Sequence, residues 1–105
     1  MTQHEQVKEL LENHRGRNNP ITSDEIKAHI GISDINGNLH TRKLITETIE
    51  MYNLPVGSTT KKPKGYYWME TNEELNDCVA DLDGRIAGME QRKQMIIKNY
   101  KESKQ

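Results

Sequence analysis

The 105-residue sequence predicts a mainly α-helical chain, with three short helices and a β-hairpin followed by one long helix. Two patterns carry this expectation. Apolar residues recur at helical spacing in four separate segments, and two short apolar or aromatic runs flank a turn rich in Lys and Thr. Hydrophobic residues make up 32% of the chain and charged residues 30%, enough for a small core and too lean for a large pocketed enzyme.

Val7, Leu10, Leu11 and His14 mark one face of a first helix over about residues 2–15. Turn chemistry fills 16–20, and Ile21 is a lone apolar residue suited to a very short strand. Thr22 and Glu25 have capping-box spacing, Ile26, His29 and Ile30 share a face, and Gly31 stops a second helix over about 24–30. A turn over 32–38 leads into a third helix over about 39–53, where Ile45, Ile49 and Tyr52 recur at helical spacing. The runs 54–58 and 65–69 form a hairpin with a basic tip over 59–64. Helix, short strand, helix, turn, helix, hairpin is the order of a winged helix-turn-helix, in which the third helix reads DNA and the hairpin is the wing.

The runs ITSDEIKAHIGI, TRKLI, LPVGS and GYYWMET, in this order, resemble a family of small winged-helix proteins encoded by viruses and prophages of bacteria and archaea. The resemblance spans nearly the whole chain. It implies a winged-helix fold and DNA binding, and it implies no defined regulatory target. The turn over 31–38 is longer than the tight turn between the two reading helices of that pattern.

With 15 Lys and Arg against 16 Asp and Glu, net charge gives no sign of a nucleic-acid partner, so clustering decides. Between Asp34 and Glu47 the only ionisable side chains are His40, Arg42 and Lys43, at the start of the third helix. A second acid-free window between Glu50 and Glu70 holds Lys61, Lys62 and Lys64 at the hairpin tip. In a winged helix both would face one duplex. Arg42 suits guanine edges or phosphate, Asn38 and Thr41 offer hydrogen bonds, and the wing lysines hold phosphate. Tyr66, Tyr67 and Trp68 alternate faces and are expected mainly in the core, since the chain has no Phe.

Chemistry of other kinds finds little support. Cys78 is the only cysteine, and His4, His14, His29 and His40 lack metal-ligand spacing, so no metal, cofactor or enzymatic activity is expected. No segment reads as a signal peptide or membrane span, which leads to an expected cytoplasmic location, in the host cell if the protein is viral.

The last third carries a different pattern. Leu75, Leu82, Met89 and Ile96 repeat every seven residues, and Val79, Ile86, Lys93 and Tyr100 form a second series, giving an a/d seam interrupted only by Lys93. Gly84 and Gly88 fall at outward positions. The chain thus divides into a winged domain over 1–70 and a coiled-coil helix over 71–105, expected to make a homodimer, with folding back against the first helix of the same chain as the alternative. A parallel pair would set Arg85 against Glu90, whereas an antiparallel pair brings arginines together, which favours parallel packing. The expected function is sequence-specific binding of double-stranded DNA by a homodimeric viral or prophage transcriptional regulator. The alternative is an adaptor whose winged domain binds a host or viral protein in replication or counter-defence, supported by the near-neutral charge.

Overall fold

A computed structural model of the chain describes residues 1–33 and 37–104. Its order is α1 (Gln3–Glu12), α2 (Ser23–Ile30), α3 (Leu39–Tyr52), β1 (Val56–Thr59), β2 (Gly65–Trp68) and α4 (Asn72–Ser103). The protein is therefore mainly helical, with one antiparallel hairpin and a long C-terminal helix. It divides into two compact units, Met1–Leu75 and Asn76–Gln105. Among the described residues no helix is long and apolar enough to cross a membrane.

Three helices begin with the same local device. The hydroxyls of Thr2, Thr22 and Thr71 accept from the backbone N–H of Glu5, Glu25 and Glu74, whose carboxylates accept in return from the threonine N–H groups. Each box satisfies amides that a helix start leaves unpaired, a contribution of about 1 kcal/mol. The Thr22 box is the one singled out from sequence. The boxes at Thr2 and Thr71 follow the same T-x-x-E rule. Gly31, with φ 78°, and Asn53, with φ 55°, close α2 and α3 in the left-handed region.

In the first unit, Val7 and Leu11 of α1, Ile21, Ile26 of α2, and Leu44 and Ile45 of α3 form a buried cluster. Leu10, Ile30, Ile32, Ile49, Leu54, Val56, Tyr66 and Trp68 pack around it. Burying each of the central aliphatic side chains is worth about 1.5–3 kcal/mol. α1 packs on both α2 and α3.

Strand β2 is the hub of the backbone pairing. It pairs with β1 from Val56↔Trp68 to Thr59↔Gly65. On its other side Ile21 and Tyr66 exchange two hydrogen bonds of 2.8 Å, so the lone apolar residue forms a one-residue strand. Trp68 also donates to the His14 carbonyl and accepts from the Gly16 N–H, both at 2.8 Å. This second pairing explains why α1 ends at Glu12 rather than near residue 15: the backbone from His14 to Gly16 is committed to β2. Gly65 has φ 137°, and a Cβ there would lie 2.6 Å from the Ile21 carbonyl oxygen, so the close approach of the two segments requires glycine.

α4 runs unbroken through Gly84 and Gly88, and no atom lies within 4 Å of where a Cβ would stand at either. None of its residues is buried.

Candidate nucleic-acid interface

The surface of α3 is set by which residues its inner face consumes. Thr41, Leu44, Ile45 and Thr48 lie inward at i, i+3, i+4, i+7 spacing, leaving Leu39, His40, Arg42, Lys43, Thr46, Glu47, Glu50 and Met51 exposed. Thr41 is fully buried, which corrects the expectation that its hydroxyl would serve a ligand. Thr46, one turn further along, is the exposed hydroxyl of this helix. Thr48 is tolerated inside because its hydroxyl donates to the Leu44 carbonyl at 2.7 Å.

Asn38 is also occupied. It precedes α3, and its side-chain amide donates to Ser23 Oγ at 3.1 Å and Asp24 Oδ1 at 2.7 Å. The amide therefore ties the start of α3 to the start of α2 instead of projecting toward a ligand. Its Oδ1 is buried without a hydrogen-bond partner among the described residues. The turn expected over 32–38 includes Asp34, Ile35 and Asn36, which lie outside the described residues.

The hydrogen bond from Asn38, with the nearby charges of Lys27 and Lys64, holds the Asp24 carboxyl below its ordinary range. Lys64 of the hairpin tip is an electrostatic neighbour of Asp24, and Asp24 is bonded to the residue that begins α3. On the other flank the Arg42 charge acts on Tyr66 of β2, opposing the burial that pushes this phenol up.

The hairpin tip is braced by a residue that the sequence patterns pass over. Arg17, in the turn after α1, donates through its guanidinium to the Pro63 carbonyl at 2.6 Å, the Lys61 carbonyl at 2.9 Å and Thr59 Oγ1 at 3.3 Å. It also lies over the Tyr67 ring, 5.9 Å from the centroid. Its backbone N–H donates to Glu74, whose carboxyl is held low by the N–H groups of Glu70, Arg17 and Thr71. A rigid planar fork suits a tip whose carbonyls point inward. Lys61, Lys62 and Lys64 are exposed around it. Among the described residues, Arg42, Lys43, Lys62 and Lys64 form no ion pair.

The aromatic run divides as strand alternation requires. Tyr67 is buried, while Tyr66 and Trp68 are half-buried against the core cluster. Arg15 stacks over Trp68 at 4.8 Å from its centroid. His14 is half-buried and bonded to the Asn19 carbonyl, whereas His29 is exposed despite its place in the apolar pattern of α2.

Comparison with protein families, curated proteins and solved structures yields no match.

Proposed function

We propose that residues 1–75 form a winged-helix module that binds double-stranded DNA, and that the chain acts as a homodimer through α4, as a viral or prophage transcriptional regulator. The observation that carries this reading is the exposure of two basic sets, Arg42 and Lys43 at the start of α3 and Lys61, Lys62 and Lys64 around a hairpin tip braced by Arg17. The Ile21–Tyr66 pairing adds to it, because a short strand between the first two helices belongs to the winged-helix order. In this reading α3 enters the major groove, Arg42 contacts a guanine edge or phosphate, His40 and Lys43 flank it, and the tip lysines follow the backbone. The dimer is supported by the uncovered apolar stripe of α4, where Leu82, Ile86 and Met89 are 48, 64 and 72% exposed.

Residues 1–75 carry nine Lys and Arg against eleven Asp and Glu, so binding rests on local charge and falls steeply with salt. Titration of labelled duplexes at several salt concentrations tests this. Replacing Lys61, Lys62 and Lys64 with Ala should weaken binding to all sequences and reduce the slope of log K against log salt by about 0.9 for each phosphate that is no longer neutralised. Arg42→Ala should cost about 1–3 kcal/mol on a preferred site and relax its specificity. The acidic balance of this unit, with Leu39 and Met51 of α3 63% and 56% exposed, favours the adaptor reading as the second one. Absence of duplex binding at low salt selects it.

A further inference from the structure

We infer that α4 receives a second copy of this chain in antiparallel orientation, with Leu82 of each helix packed against Lys93 of the other. The inference rests on the reading of α4 as a dimerisation helix and specifies the geometry of that pairing.

Charge along α4 is divided end from end. Glu73, Glu74, Asp77, Asp81 and Asp83 occupy its first part with no base among them, while Arg85, Arg92, Lys93, Lys98 and Lys101 follow, with only Glu90 and Glu102 opposing. Two parallel helices would lay acidic turns beside acidic turns and basic beside basic. An antiparallel pair sets each acidic end on a basic one.

The seam makes the same choice more sharply. In a parallel pair in register, every a and d residue meets its own counterpart, so Lys93 would meet Lys93 inside the contact. Two ammonium groups are then brought to one layer, their repulsion offset only by Glu90 of each chain's own helix. In the antiparallel pair a positions meet d positions, and the layers become Leu75 with Tyr100, Val79 with Ile96, Leu82 with Lys93, and Ile86 with Met89. Every seam residue except Leu82 then meets an apolar or aromatic partner, and Leu82 is covered by the Lys93 stem, whose ammonium lies at the edge. There it reaches Asp83 of the second copy. Lys93 already holds Glu90 of its own helix at 3.1 Å. This register also fits the length of the element, because Asn72 falls opposite Ser103 and the helix covers its partner end to end.

The arrangement gives up the Arg85–Glu90 pairing of parallel helices and brings Arg85 near Arg92 on one flank. That flank is exposed, where long side chains turn into water and like charges cost little. On the other flank Asp83 comes near Glu90 of the second copy, and Lys93 stands between the two carboxylates. A repulsion inside the seam therefore outweighs one attraction at its rim.

Orientation can be read by disulfide exchange in the full-length chain. Val79→Cys and Ile96→Cys variants, each also carrying Cys78→Ser, are mixed in equal amounts in a glutathione redox buffer. The antiparallel pair predicts a mixed disulfide well above the half given by random pairing. Mixed product at or below that half overturns the orientation and leaves the dimer standing. Sedimentation of the unsubstituted chain gives an independent readout: an antiparallel dimer should dissociate more readily as salt rises, and one that tightens with salt overturns the orientation. A chain that remains monomeric on the order of tens of micromolar, at low and high salt alike, overturns the dimer reading and the orientation together.

Discussion

Leu11, Ile26 and Ile45 of the first unit are fully buried, whereas Leu82, Ile86 and Met89 of α4 keep about half or more of their surface in contact with solvent. Both sets follow helical periodicity. What separates them is the number of elements meeting at one place: three helices and a hairpin converge on the first set, and the second lies along a single rod. Amphipathic patterning therefore states that a face is to be covered without stating by what. A short helix beside short neighbours is covered by its own chain, and a helix of 32 residues outruns them.

The widest gap between the two regions should appear on truncating one side chain in each. Leu11→Ala should cost about 2–5 kcal/mol of unfolding free energy in urea, because it leaves a cavity among residues that cannot fully collapse. Ile86→Ala should leave the unfolding of the first unit unchanged and act only on self-association. Equal effects of the two on the same transition would erase the distinction.

A smaller effect is expected where the first unit is held by polar contacts. Arg17→Ala removes three guanidinium hydrogen bonds from the hairpin tip and should cost about 1–3 kcal/mol. Amide exchange should accelerate from Thr59 to Gly65 while the amides of α2 stay protected. The smallest effect belongs to α4. Gly88→Ala should raise helix stability by about 1 kcal/mol, seen as higher helicity by circular dichroism, because the added methyl meets no atom within 4 Å.

Much of the helical framework is legible in the chain itself. The Thr22–Glu25 box, the Gly31 stop and the seven-residue repeat from Leu75 are local signals, and each stands where its spacing puts it. The inner face of α3 is harder to read, since two of its four buried residues are Thr41 and Thr48, which pattern reading treats as polar. That is why Thr41 falls wrongly on the candidate interface when only the sequence is read. Arg17 is illegible for a different reason: it sits in a loop, and its partners, carbonyls more than forty positions away, leave no trace in spacing. Asn38 reads as a hydrogen-bonding residue for a ligand, and only the approach of Ser23 and Asp24 shows that its amide is taken up within the fold.

The crowding around β2 has a further consequence for how copies of this chain meet. Ile21 and the segment at Arg15 occupy one side of β2 and β1 occupies the other, so no row of unpaired amides is left on that strand. The outer side of β1 is only four residues long, and Ser58 is its one exposed residue. An edge this short is a poor template for adding strands from another molecule. Exposed strand edges seed amyloid-like growth, and here the small sheet is nearly closed to that route even when the chain is concentrated.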